Sequence, residues 1–318
     1  MKTTLAALCA LAGLLAATAA PAQTPSQACN RDCLKQHLDA YLSAVTSHKP
    51  EAGGLWIGFR QTENSVVIPE GQGVWKAVTA LGSVQRRYLD PVQSQAAYFG
   101  TVMMGSEEAV VALRMKVQWN QVTEAEWFIA RKGDPGITGE PGKTPFNVET
   151  LRATLPEQRV VPKGERMPQR EVLQAVVNSY FDGITSHNGH IVKGHQGCSR
   201  YENGFPTFNS PMTPAMIAND VGNDGKTDCR TQADFGVAIV VARDYFVIDE
   251  EAQIVMMSAM FRRDPKNPKR RNHLAELFHI DHGKIRTVHA AFHYAPDELP
   301  VPNWPPYDGL FPLPAGYH

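Results

Sequence analysis

The chain has 318 residues, with 31 Lys+Arg against 32 Asp+Glu for a formal charge of −1, and 43% of its residues are apolar. That composition buries a core and excludes a disordered polyelectrolyte. Near-neutrality argues against nucleic acid as a partner, because such binding draws on a cationic surface. The one basic run, Arg262, Arg263, Lys266, Lys269, Arg270 and Arg271, is broken by Asp264, Pro265 and Pro268 and reads as a solvated loop.

At the N-terminus, Lys2 precedes an apolar run from Leu5 to Ala20, and Ala20 and Ala22 are small residues placed for a cleavage site before Gln23. Residues 1–22 therefore read as a secretory signal peptide, and no other stretch approaches the length of a membrane span. The mature protein is expected to be periplasmic or extracellular, with no membrane partner after cleavage. Cys29, Cys33, Cys198 and Cys229 then remain, an even number that favours disulfides in an oxidising compartment. The most economical pairing is Cys198–Cys229 within the C-terminal half and Cys29–Cys33 as a local bridge. A pair four apart is strained inside a regular helix, which makes the local bridge the less secure of the two. Paired CxxC-like spacings are absent, which argues against a zinc-thiolate site.

An internal repeat organises the rest. Residues 39–48 (DAYLSAVTSH) match residues 178–187 (NSYFDGITSH) at an offset of 139, and at the same offset Glu63-Asn64 meets Glu202-Asn203. Residues 112–117 then match 275–280 at an offset of 163, so the second unit carries about 24 extra residues, assigned to the Cys198–Cys229 region and the basic run.

In the first unit, residues 23–145, Leu34, Leu38, Tyr41, Leu42 and Val45 recur at helical spacing and predict an amphipathic helix. A short strand around Glu63-Asn64 follows, then strands over 97–104, 110–118 and 122–130, the last pair turning at Asn120-Gln121. Residues 132–145, dense in Gly and Pro, read as an exposed loop, and 146–168 as a linker. The second unit, residues 169–295, repeats the order. Its helix carries Val172, Val176, Tyr180, Phe181 and Ile184, and its strands fall at 254–261, 273–281 and 284–294 with a turn at His282-Gly283. The tail from Pro296 holds seven prolines in 23 residues and is expected to run extended, pinned by Trp304, Tyr307, Phe311 and Tyr317. Helix first and strands after is α+β, not a βαβ alternation.

This order, with an early Tyr41 or Tyr180, a strand bearing Arg and Glu-Asn, and a last strand after a Gly turn, resembles the nuclear transport factor 2-like superfamily. That group includes the SnoaL-like cyclases, ketosteroid isomerases and scytalone dehydratases. The opening Cys29-Asn-Arg-Asp-Cys33-Leu34, the segment Tyr201-Glu-Asn-Gly204 and the ending Glu276-Leu-Phe-His-Ile280…Gly283-Lys-Ile-Arg286 resemble secreted tandem members of that superfamily with no settled function. The resemblance implies two tandem cone-shaped units, each with helices packed on a curved, mostly antiparallel sheet around a pocket. It also implies isomerisation, dehydration, aldol-type cyclisation or plain ligand binding; fold does not fix which. Ketosteroid isomerases place a catalytic Asp directly after a Glu. Asn64 and Asn203 stand there in this chain, and an amide cannot act as a base, though it can donate to an oxyanion.

Another base is then required, and His289 is the best placed. On the last strand Thr287, His289, Ala291 and His293 share one face, and Ala291 leaves room beside the two imidazoles. An imidazole titrating near neutrality suits proton transfer between carbon and oxygen. Glu126 holds the matching position in the first unit. The competing reading packs the opposite face, Val288, Ala290 and Phe292, against the helix and leaves the histidines outside. Glu63 and Glu202 are either acid/base groups oriented by Arg60 and Arg200 or members of structural Arg–Glu pairs. Tyr41 and Tyr180 are core hydroxyls or pocket donors. His48 and His187 end their helices, where a cation is favoured. A metal on His187, His190 and His195 lacks a ligand spacing and a fixed carboxylate, so neither metal nor cofactor is expected. The absence of G-x-S-x-G, P-loop, G-x-G-x-x-G and H-E-x-x-H patterns removes α/β hydrolases, nucleotide-dependent enzymes and zincins.

The expected function is a cofactor-independent lyase or isomerase acting on a small apolar or aromatic oxygenated molecule, the first unit being structural. His289, Tyr180, Asn203 and Glu202 would do the chemistry, with His293, Thr287 and Tyr201 holding the substrate. The alternative is a non-catalytic exported small-molecule-binding protein. A homodimer is left open.

Overall fold

The computed structural model describes residues 29–156, 167–208, 228–230, 237–263 and 270–296. The expected signal peptide, the Pro-rich tail beyond Pro296, and Lys266 and Lys269 lie outside them. Helix α1 (Arg31–Thr46) is capped by the Asn30 side chain, which accepts from the Cys33 backbone N–H, and it buries Leu34, Leu38, Tyr41, Leu42 and Val45. The Cys29–Cys33 disulfide spans that cap, with 5.3 Å between the Cα atoms. One cysteine lies before the helix and the other in its first turn, so no regular helical turn has to accommodate the bridge. Strands β1 (Leu55–Glu63) and β2 (Val66–Ile68), short helix α2 (Val74–Ala77), and strands β3 (Val78–Asp90), β4 (Gln95–Met104), β5 (Glu107–Gln118) and β6 (Gln121–Ala130) complete the first unit.

Helix α3 (Val148–Thr154) occupies the expected linker. The second unit consists of α4 (Arg170–Thr185), β7 (Gly194–Glu202), β8 (Phe205–Phe208), β9 (Val237–Asp249), β10 (Ile254–Arg263), β11 (Arg271–Asp281) and β12 (Lys284–Ala295). The Cys198–Cys229 disulfide also forms. No helix among the described residues is long and apolar enough to cross a membrane.

Each unit holds a six-stranded sheet, in the orders β2-β1-β6-β5-β4-β3 and β8-β7-β12-β11-β10-β9. All pairings are antiparallel except β1 with β6 and β7 with β12. The chain is thus α+β, two like cone-shaped units in tandem. Three details depart from expectation. Strands β2, β3, β8 and β9 and helix α2 are additional. The β5–β6 turn is Trp119-Asn120, both left-handed (φ 50° and 59°), because Gln118 pairs with Gln121. Finally, Arg262 and Arg271, expected in a solvated loop, are buried strand residues.

Each sheet buries both faces. The inner faces pack on α1 or α4: Leu113, Met115, Trp127 and Ile129 in the first unit, Leu274, Phe278, Ala290 and Phe292 in the second. The outer faces pack on one another, forming one apolar seam from Ala97, Phe99, Ala112 and Phe128 together with Met256, Ala275, Leu277 and Ala291. Such sheet-on-sheet burial supplies the association energy, while polar groups fix its geometry.

Two reciprocal clamps close the seam. Arg31, opening α1, donates two bonds (2.9 and 3.0 Å) to Asp249 at the end of β9, and Asp249 also accepts from the Leu89 N–H at 2.9 Å. Arg170, opening α4, donates two bonds (2.9 and 2.8 Å) to Asp90 at the end of β3, and Asp90 accepts from the Ile248 N–H at 2.9 Å. Repeat-equivalent residues exchange partners across a pseudo-two-fold axis, as in an isologous dimer. Both carboxylates are fully buried.

Replacing Asp249 by Ala leaves Arg31 only Glu251 and the Leu89 carbonyl and strands the buried Leu89 N–H, and is expected to lower unfolding stability by about 3 kcal/mol in urea titrations, with Asp90→Ala close behind. A loss under about 1 kcal/mol in both variants would show that the apolar seam holds without the clamps.

Candidate functional site

The two inner faces hold different chemistry on the same scaffold. In the first unit the interior is closed by hydrogen-bonded aromatics. Tyr41 donates to Gln61 Oε1 (3.0 Å), Trp75 Nε1 donates to the same oxygen (2.9 Å), and Trp127 Nε1 donates to the Tyr41 hydroxyl (3.1 Å). Glu63, its carboxyl raised by burial, accepts from Gln61 and from the Val74 N–H at the start of α2. Every group here is matched, and both indoles are buried.

The second interior exchanges that filling for charge. Ala290 stands where Trp127 stands in the first unit, Glu276 where Leu113 stands, and Arg200 where Gln61 stands. Arg200 donates to Glu276 Oε1 from Nε (3.2 Å) and Nη2 (2.9 Å) and pairs with Glu202 through Nη1. Glu276 is wholly buried, and its second oxygen, Oε2, has no hydrogen-bond partner. Burial pushes the Glu276 carboxyl up, and Arg200 offsets this only in part. Tyr180 stands close enough to act on the Arg200 charge and packs edge-on to Phe278 at 5.1 Å. Arg60 lies one register step away from the Arg200 position. A one-residue slip turns a strand side chain to the other face, so Gln61, not Arg60, answers to Arg200.

The last strand takes the other orientation from the one that made His289 a pocket base. Val288, Ala290 and Phe292 face α4, and Thr287, His289, Ala291 and His293 face the seam. His289 stacks on Tyr201 (4.7 Å, 10° between planes), and neither ring nitrogen has a hydrogen-bond partner. The Thr154 carbonyl approaches without reaching hydrogen-bond geometry. His293 meets His273 edge-on at 5.4 Å, and His273 contacts Phe128 and the Ser65 hydroxyl of the first unit. Thr287 accepts from Ser199. His289, His293, Thr287 and Tyr201 therefore line the joint between the units, apart from the interior under α4.

Asn203 is likewise committed. Its two amide hydrogens go to the Pro145 and Phe292 carbonyls (3.1 and 3.0 Å), and its oxygen accepts from the Phe292 N–H (2.9 Å). Asn64 bridges Ile129 in the same way, and both asparagines are left-handed at φ 48°. With no hydrogen left to give, Asn203 is a turn brace and not an oxyanion donor. His195 reaches the Asp281 carbonyl at 3.0 Å. The one grouping of three metal-type ligands among the described residues, Cys29, Cys33 and His37, has its sulfurs joined to each other.

A family model described as a domain of unknown function (DUF8021) matches residues 166–292, the second unit. No curated protein matches the chain. Among solved structures, it is similar to a protein of unknown function with a cystatin-like fold from Methylobium petroleophilum PM1, at 15% identity and a TM-score of 0.27. That alignment covers 45% of this chain and 86% of the other. It is also similar to AclR from Streptomyces galilaeus, at 9% identity and a TM-score of 0.27, covering 40% of this chain and 83% of the other.

The sequence reading missed Glu276 and Asn272 as interior residues, placed Ala290 there only in its competing reading, and took Arg263 for part of a solvated loop. Their signal is alternation: Glu276 lies between Leu274 and Phe278, two positions from each, so a charged residue occupies the apolar register of a buried strand.

The seam predicts opposing pH effects. Burial lowers His289 and His293 to about 3, and His273 well below its usual value. Between pH 3 and 6.5 the unfolded chain therefore binds more protons than the folded one, so these histidines withdraw stability as pH falls. Asp244, at the seam near Arg114 and Glu126, is pushed by burial up to about 7. It holds a proton in the fold that the unfolded chain releases, so it contributes stability as pH falls from 7 to 4. His289→Phe is expected to flatten the loss between pH 7 and 5 by about 1–2 kcal/mol, and Asp244→Asn to steepen it, both read from urea unfolding at the two pH values.

Proposed function

We propose that this protein is an exported, cofactor-independent lyase or isomerase for a small oxygenated molecule, with its acid/base chemistry inside the second unit. Two disulfides and a leader-like N-terminus support the exported part of the reading. The observation that carries the chemistry is the half-satisfied carboxyl of Glu276. One oxygen is held by two Arg200 donors, and the other is buried with no partner at all.

In this reading Glu276 takes the place given to His289. Its Oε2 removes a proton from a carbon acid and returns it to a neighbouring atom, and its raised pKa makes it a stronger base than a carboxylate in water. Arg200 is a positioning residue that fixes the carboxyl plane. Tyr180 faces the same space and is the donor for an oxyanion developing on the substrate. Ala290, opposite Glu276 on the neighbouring strand, sets a small side chain where the first unit has the Trp127 indole. A second reading, a binding protein without turnover, draws on the grip of Arg200 on both Glu202 and Glu276.

Deprotonation of 5-nitrobenzisoxazole, followed by the absorbance of its ring-opened phenolate, reads a buried base without knowledge of the natural substrate. The protein is expected to exceed the rate in acetate of equal concentration. Glu276→Gln should lose at least about tenfold, and Glu126→Gln, a carboxyl at the seam, should change nothing. A rate no higher than that of acetate, or one indifferent to Glu276→Gln, removes the acid/base reading.

A further inference from the structure

Resting on that reading, we propose that the molecule accepted by the second unit is an anion bearing a carboxylate, and that Arg263 at the end of β10 is the residue that takes its charge. The placement follows from strand alternation. Val255, Met257, Ala259 and Phe261 of β10 belong to the core under α4, so the next residue in that register is Arg263. On β11 the same face carries Asn272 beside Leu274, and on β12 it carries Tyr294 beside Phe292. Arg263 thus shares the sheet face of Glu276, Arg200 and Glu202.

The guanidinium is left short of a partner. Its Nη2 donates to Asn272 Oδ1 at 3.0 Å, its Nε is buried without a hydrogen-bond partner, and no carboxylate among the described residues lies within ion-pair reach. Glu202, the carboxylate that acts on it from a distance, is already held by Arg200. Partial burial lowers the Arg263 pKa, and the cation draws only the neutral Asn272 acceptor in return among the described residues. The first unit needs no such group. At the equivalent positions it carries Met104 for Arg263 and Ala109 for Asn272, and both are apolar members of its closed core. The second unit has therefore gained a cation and an amide that orients it, together with the carboxyl that would act on a bound molecule.

Carboxylate chemistry fits this cation. A guanidinium presents parallel N–H donors that match the two oxygens of a carboxylate, and such bonds are stronger than neutral ones. Arg200 is held locally by Glu202 and Glu276, whereas among the described residues Arg263 has no carboxylate within ion-pair reach, so Arg263 is the cation open to an incoming carboxylate. With the carboxylate on Arg263, the rest of the molecule extends along the sheet face toward Ala290 and Glu276.

Benzoate and benzamide differ in charge but hardly in shape, and calorimetric titration of both tests the assignment. The parent protein is expected to bind benzoate at least about tenfold more tightly than benzamide and to have its 5-nitrobenzisoxazole rate competitively inhibited by benzoate. Arg263→Met, which installs the first unit's residue, should abolish the preference, and Arg263→Lys should keep part of it. Equal binding of the two probes, no binding of either, or a preference that survives Arg263→Met would overturn the anion assignment. The benzisoxazole rate of the parent protein separates the two claims. If it remains while the benzoate preference is missing, the acid/base reading stands and only the substrate class is wrong. A benzoate preference that depends on Arg263 without any benzisoxazole rate would remove the acid/base reading instead.

Discussion

The constraint on which the rest of the molecule depends is that each sheet is covered twice. One face meets the unit's own helix, and the other meets the companion sheet under the locks of Asp90 with Arg170 and Asp249 with Arg31. These ion pairs are buried, bidentate and reinforced by backbone N–H donors, the geometry in which buried charge gives register more reliably than energy. Because the locks join the start of each helix to the end of the other unit's long edge strand, they orient the helix and the seam together. A side chain on an outer face is thereby committed to the joint. What remains for a ligand is the space between a helix and its own sheet.

Duplication has divided the labour between the two interiors. The first unit fills its interior with Tyr41, Trp75 and Trp127 around Gln61, so each buried polar atom finds a partner and the indoles add apolar burial. The second unit replaces an indole by Ala290 and buries Arg200 and Glu276, with Arg263 and Glu202 half-buried beside them, a substitution that costs folding free energy. The first unit and the seam offset that cost. A functional interior is easier to maintain when the elements around it are held by contacts it does not supply.

Much of this was legible from periodicity. The helical stripes of α1 and α4, the six long strands β4–β6 and β10–β12, and the repeat offset all emerged from residue spacing, because each element has one strongly patterned face. Strands β3 and β9 did not. In β3, Gly82 and the run Gln85-Arg86-Arg87 interrupt the alternation, since an edge strand is exposed over part of its length. The choice of face on β12 was likewise hidden. Alternation divides a strand into two faces but does not say which is inner when both are buried, and His289 and His293 were as plausible inside as out. The charged run around β10 and β11 misled for a related reason: charge usually signals solvent, and here Arg262 and Arg271 are almost entirely buried.

When both faces of a sheet are dry, polarity no longer identifies the ligand side, and incomplete pairing has to do so with care. Outer-face Glu126 also has an oxygen without a partner, despite its bond to Arg114 at 3.0 Å. A buried carboxyl has a remedy that needs no ligand, because it can hold a proton, as the upward shifts of Glu126 and of neighbouring Asp244 indicate. The seam histidines have the mirror-image remedy and stay neutral. A guanidinium has neither option, since it remains protonated at any pH the fold survives. Arg263 is therefore a group whose charge the protein cannot titrate away, and it lies on the inner face, bonded to Asn272 four residues along β11 from a carboxyl that has one oxygen to spare. That asymmetry between groups that can discharge themselves and one that cannot separates a structural polar contact from a place prepared for an anion.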